Sequence, residues 1–191
     1  MGLVPFEMRV TPPRGRAVPW ASNFPETNVR TYATAEDGSS GVWFLSLDAA
    51  RLGAVIVART TYRLPYFWSK MHVSRVGPIV TYESRRRWPG PFGASSAVAV
   101  EVGDAFAPDE LGDLDHWLTA RWRLYSARTA GLRFARADHP PWPLHRARVV
   151  HLDDHLVVAA GLPAPEGDPL VHWSPGVDVR IGFPNRLRTS R

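Results

Sequence analysis

Polar and apolar residues alternate between Thr27 and Thr34: Asn28, Arg30 and Tyr32 share one face, Val29, Thr31 and Ala33 the other. That period of two predicts a β-strand with unlike faces. Glu36 to Gly41 reads as a turn, and Val42 to Leu47 resumes with bulky β-favouring residues, so a β-hairpin is predicted. Beyond it the period changes. Ala49, Leu52, Val55 and Ile56 recur at helical spacing, which predicts a helix ending near Arg59 and capped by Ser46 or Asp48. An aromatic-dense turn follows through Tyr62, Tyr66, Phe67 and Trp68. Short runs near 71–76, 79–85, 95–102, 123–126, 147–152 and 156–159 read as strands. A second helix is predicted from Pro108 to Thr119, with Leu111, Leu114 and Leu118 on one stripe and Asp109 and Glu110 in its first turn. One or two final strands fall between Leu170 and Ile181, while the proline-rich, aperiodic stretch before Pro25 makes residues 1–25 an extended N-terminal arm. The expectation is one domain over residues 1–191, α+β in class and dominated by β-strands.

Composition narrows what such a domain does. The chain has 191 residues, 45% of them hydrophobic, and a mean hydropathy of −0.20, so it has a core to bury. No apolar run reaches the roughly eighteen residues that would cross a membrane. Residues 1–8 lack the basic and apolar regions of a secretory signal, so none is expected. With no cysteine, disulfides and thiolate chemistry are excluded and a reducing, cytoplasmic location is expected. A net charge of +5 raises the question of nucleic acid. The basic residues are scattered, however, and no recognised nucleic-acid motif accompanies the densest run, Arg85-Arg86-Arg87. A solvated basic surface is the better reading, and an anion- or nucleic-acid-binding accessory role through that run is the lesser one. Of the 23 basic residues only Lys70 is a lysine.

The segments Phe24–Tyr32, Gly41–Ala49, Leu64–Tyr66, Glu83–Arg86, Arg121–Tyr125, His139–Leu144, Ala159–Leu162 and His172–Val179 occur in an order that resembles the domain-of-unknown-function family 2071. That family is a branch of the acetoacetate-decarboxylase-like superfamily. The resemblance implies antiparallel sheets forming a barrel or sandwich with two or more short helices. Family members carry some tens of residues before the Gly2–Met8 stretch, so an initial family element is expected to be missing. Acetoacetate decarboxylases also place a Schiff-base lysine directly after the proline of a segment whose Arg-to-Pro spacing is matched here by Arg59 and Pro65. Here Tyr66 and Phe67 follow Pro65, and Thr60 stands where the motif has glutamate. Schiff-base decarboxylation is therefore not expected: an activated amine is required, and the motif position holds a phenol.

The resemblance also places Glu26 where the decarboxylases have an active-site carboxylate. Alternation puts Glu26, Asn28, Arg30 and Tyr32 on one strand face, which means either solvent or a polar cavity; the resemblance favours the cavity. In that reading Glu26 is an acid or base, with Tyr66 as its catalytic companion, and Arg30 is an anion clamp. Arg59, Tyr62 and Tyr66 form the opposite wall, although Arg59 has the plainer alternative of binding a helix-end carbonyl and Tyr62 that of core packing. His139 and His172 lie in family motifs and are candidate binding residues, with no triad partner in sequence. His151 and His155 flank Asp153-Asp154; a solvated turn of a hairpin is favoured there over a metal site, and no metal or cofactor is implied. The expected partner is a small anionic organic ligand, and a homo-oligomer is compatible with the reading. The function is then a lyase-like enzyme acting on a carboxylate or keto substrate without a Schiff base, or a non-catalytic ligand-binding or scaffold domain.

Overall fold

The computed structural model describes residues 1–9, 23–128 and 131–187. The predicted hairpin forms the centre of the fold. Strand β2 (Asn23–Thr34) and strand β3 (Ser40–Ala49) pair antiparallel, and their turn closes where Asp37 accepts the Ser39 N–H at 2.9 Å and Gly38 takes φ = 77°. A positive φ there suits glycine, which has no Cβ to clash. A bulge in β3 between Val29 and Arg30 of the partner lets Leu45 slip out of register, and β2 keeps its alternation through Tyr32. Strand β1 (Gly2–Arg9) pairs with the outer edge of β2, so the first third of the expected arm belongs to the sheet; residues 10–22 lie outside the described residues.

Strand β3 has three neighbours because its far edge is shared. Its C-terminal end pairs parallel with β4 (Tyr66–Val76), and its N-terminal end pairs parallel with β7 (Arg123–Arg128). From β4 the sheet continues antiparallel through β5 (Ile79–Trp88), β6 (Ser95–Ala105), β9 (His145–Asp154) and the short β10 (His172–Trp173). From β7 it continues through β8 (Gly131–Asp138), which pairs with β11 (Arg180–Ile181) and β12 (Asn185–Arg186). Strands dominate, as expected, but the sheet is mixed rather than wholly antiparallel. Gly41 marks a close approach at the fork: a Cβ there would meet the Arg123 carbonyl at 2.6 Å.

The helices depart most from expectation. Ser46 and Asp48 are strand residues, not caps; α1 (Leu52–Val57) follows Arg51 with no side-chain cap and runs on as a π-turn over Ala58–Tyr62. Of its apolar residues Val55 is buried, whereas Leu52 and Ile56 are 40% and 48% exposed. The second predicted helix is broken at Leu111, leaving a 3-10 turn (Pro108–Glu110) and α2 (Asp113–Thr119), each closed by its own acid: Glu110 on the Ala107 N–H and Asp115 on the Gly112 N–H. Leu156–Ala159 is a helical turn, α3, rather than a strand, because Asp154 accepts the Val157 N–H at 3.0 Å. The same cap overturns the hairpin at 151–155: β9 runs straight through His151 to Asp154, and His155 opens the helix.

Candidate functional site

Cross-strand partners share a face, so the register fixes what surrounds the polar row of β2. Glu26 and Asn28 lie on the side of Ala49 and Leu47 of β3, and through these on the side of Tyr66 and Trp68 of β4. The packing around that side is apolar: Phe24, Ala49 and Val55 with Tyr66 and Trp68, and Leu47, Leu64 and Leu124 with Tyr32, Tyr62 and Tyr66. Into this wall Glu26 projects a carboxyl group, 2% exposed. Its hydrogen-bonding neighbour is Tyr66, whose hydroxyl donates to Glu26 Oε2 at 3.1 Å.

Burial of Glu26 with no cation paired to it among the described residues has a direct electrostatic result. Ionising Glu26 would strand a charge in an apolar wall, so its pKa is pushed up to about 8; the Tyr66 hydrogen bond opposes the rise and the nearby Asp48 charge adds to it. Glu26 is therefore largely a neutral acid near pH 7, able to give a proton. Burial, and next the Glu26 carboxyl, hold the Tyr66 phenol well above its ordinary pKa, so Tyr66 is a donor and not a phenolate. Asn28, also buried, leaves its Oδ1 with no partner among the described residues. This side of the sheet thus presents the Glu26 acid, the Tyr66 phenol of β4 and the unused Asn28 amide oxygen.

The opposite face of the same ladder carries a second buried carboxylate. Asp48 accepts Arg86 Nε at 2.9 Å and Arg86 Nη2 at 2.7 Å, a bidentate pair, and Ser69 Oγ at 2.7 Å. Both charged side chains are fully buried, and the guanidinium lies 3.5 Å over the Phe67 ring. This corrects the reading of Arg85–Arg87 as one basic patch: Arg86 points inward, and only its two neighbours face solvent.

The remaining candidates divide. Tyr62 packs beside Tyr66. Arg59 donates to the Tyr66 main-chain carbonyl at 2.6 Å and stacks on Trp88, so it fastens the start of β4 instead of facing Glu26. Arg30 and Tyr32 lie further along the β2 face, beside Arg121 and Trp117. His139 is held between Trp122 and Trp142, within 3.1 Å of the Arg121 carbonyl, and His172 lies 3.1 Å from Asp115. Neither histidine is described in contact with Glu26. Two shallow surface depressions, one lined by Lys70, Glu83 and Arg85 and the other by Phe44, Leu64 and Tyr125, do not reach Glu26 either. Sequence reasoning passed over Arg121, one arginine among many, and Asp48, read as a helix cap.

Comparison with known proteins agrees with this architecture. The family DUF2071, described as an uncharacterized conserved protein, matches residues 1–178. This chain belongs to the DUF2071 family. Within reach of it lies the uncharacterized protein YqjF of Bacillus subtilis (strain 168), 37% identical over 162 residues, or 85% of this chain and 66% of YqjF. Acetoacetate decarboxylase from Legionella pneumophila superposes with a TM-score of 0.50 at 7% identity, covering 85% of this chain and 63% of the other. A further acetoacetate decarboxylase structure does so with a TM-score of 0.50 at 12% identity, covering 86% and 65%. The chain thus spans somewhat less than two thirds of each of these proteins, and the shared property is the acetoacetate-decarboxylase-like fold. In this DUF2071 chain Tyr66 follows Pro65 and turns its hydroxyl to Glu26. Lys70 is exposed two alternations along β4, roughly 13 Å on, opposite Arg85. Among the described residues no helix is long and apolar enough to cross a membrane.

Proposed function

We propose that this protein binds a small organic anion, a carboxylate or keto acid, against the β2 face, with Glu26 as the proton donor to the ligand's carbonyl oxygen. The observation that carries the reading is Glu26 buried against Tyr66 with no cation paired to it among the described residues, an environment that pushes its pKa up to about 8. Carboxyl groups with strongly raised pKa values cluster at sites where their protons are used. In this scheme Glu26 gives its proton to the bound carbonyl oxygen while water takes a proton from the adjacent carbon, leaving an enol. In the reverse step the enol hydroxyl returns its proton to Glu26 and solvent supplies the proton to carbon; the transient carboxylate keeps the Tyr66 hydrogen bond, which favours the charged form. The reading is cytoplasmic, in keeping with a chain that contains no cysteine.

Calorimetric titration with pyruvate and acetoacetate, paired with NMR measurement of deuterium exchange at the pyruvate methyl, tests it. Saturable binding is expected, with methyl exchange above the buffer rate that Glu26→Gln abolishes. Equal binding and equal exchange in wild type and Glu26→Gln would overturn the proposal. The alternative of a purely ligand-binding domain draws on one observation, that neither depression reaches Glu26. Intact binding with exchange at the buffer rate would decide for it.

A further inference from the structure

Arg30 of β2 and Arg121, just beyond the end of α2, bring their guanidinium groups to one tyrosine. The central carbon of Arg30 lies 5.7 Å from the Tyr32 ring centre and that of Arg121 5.5 Å from it, while Arg121 also lies 4.5 Å over Trp117. Tyr32 and Trp117 are themselves in contact, with ring centres 4.6 Å apart. The two charges are near enough for Arg30 to act on Arg121 electrostatically, and like charges repel. Here neither arginine makes an ion pair or a side-chain hydrogen bond with any described residue, and the Nε–H of each is buried with no acceptor. A buried N–H without a partner is costly and uncommon, and a guanidinium offers five such donors in a fixed fork.

The surroundings hold this arrangement rather than relieve it. His139 lies within 3.1 Å of the Arg121 carbonyl, and His172 ties α2 through Asp115. Gly2 is the cross-strand partner of Arg30, and a side chain there would crowd the pair, its Cβ reaching within 3.3 Å of the Tyr32 hydroxyl. Burial and the charge of Arg30 both draw the Arg121 pKa down, partly opposed by Tyr32, as expected where a counter-ion is wanting.

We infer that Arg30 and Arg121, backed by Tyr32 and Trp117, form a binding site for an oxyanion group, carboxylate or phosphate, on a small molecule. The inference deepens the function proposed above and rests on it for the ligand being an anion. The oxyanion accepts from both forks, which are planar in themselves, while the aromatic rings hold them in position. Arg121, not Arg59, is the second cation of the β2 face.

The test is titration of the full chain with inorganic phosphate and with pyruvate, ionic strength being held constant with potassium chloride. One-to-one binding is expected for at least one probe, and which of them binds tells phosphate from carboxylate. Arg121→Gln and Arg30→Gln should each weaken it at least tenfold. Because Arg121 packs against two rings, its variant is checked for a wild-type far-UV spectrum; Arg30→Gln, which leaves the Trp117 stack in place, carries the test if that check fails. Glu26→Gln separates the two proposals: it should abolish methyl exchange yet keep the oxyanion affinity. No saturable binding of either probe by the wild type, or undiminished binding by both arginine variants, would overturn the site.

Discussion

Glu26 and Asp48 are both buried to within a few per cent, on adjoining strands, and they are treated in opposite ways. Asp48 sits across from Thr27, Glu26 across from Ala49, so the two carboxyls leave the β2–β3 ladder on opposite faces. Asp48 meets a bidentate guanidinium and a serine hydroxyl. Glu26 meets one phenol and an apolar wall, and keeps its proton to about pH 8. Compensation, rather than burial, separates a structural carboxylate from one available for chemistry: the paired charge is spent on holding β3, β4 and β5 together, and the unpaired one stays neutral and reactive.

The largest effect should come from breaking the compensated pair. Asp48→Asn leaves Arg86 charged, buried and short of its partner, and should lower unfolding stability by about 3–5 kcal/mol in urea denaturation. Replacing both residues together, Asp48→Leu with Arg86→Met, should cost far less, since no orphaned charge remains. A single variant as stable as wild type would remove the contrast altogether.

Glu26 should respond to pH instead. Its carboxyl is held near 8 in the folded protein against an ordinary 4.5, so between those values the native state binds the proton that the unfolded chain releases. Its contribution to stability is thus whole below pH 4.5, declines as pH rises, and is fully lost above about 8. The decline sums to a few kcal/mol, at no more than about 1.4 per pH unit. Glu26→Gln removes that decline: denaturation at pH 5 should show little change, and at pH 8.5 the variant should be more stable by on the order of 3 kcal/mol. Parallel pH profiles for variant and wild type would mean that Glu26 is ionised and compensated after all.

What could be read ahead of the structure followed the range of the interactions. The hairpin was legible because alternation and a Gly-containing turn are local, and the Glu26–Tyr32 row followed from the same alternation. Asp48 was not, because its meaning depends on Arg86, 38 residues away, and a polar residue before an apolar run looks like a cap. Leu156–Ala159 is a short β-branched run that reads as strand until Asp154 caps it. The Glu26–Tyr66 contact crosses β3 through a parallel pairing that no local pattern announces. Arg121 stands in a family segment, but nothing local links it to an anion until Arg30 and Tyr32 are placed beside it.

The smallest effects sharpen the contrast most, because they ask which neighbour controls the Glu26 proton. Tyr66 donates to the carboxyl and so favours its charged form; Tyr66→Phe should move the Glu26 pKa further up, by roughly one unit, and cost about 1 kcal/mol of stability. Arg59 reaches the main chain of the same residue at 2.6 Å but is not among the groups that act on the Glu26 charge. Arg59→Met should therefore cost up to about 1 kcal/mol while leaving the Glu26 pKa within roughly half a unit. Carboxyl carbon chemical shifts followed by NMR across pH 5 to 10 distinguish the two. Were Arg59 the cation that compensates Glu26, its loss would raise the pKa by more than the loss of the Tyr66 hydroxyl does, and the distinction between the two buried carboxylates would then be one of degree.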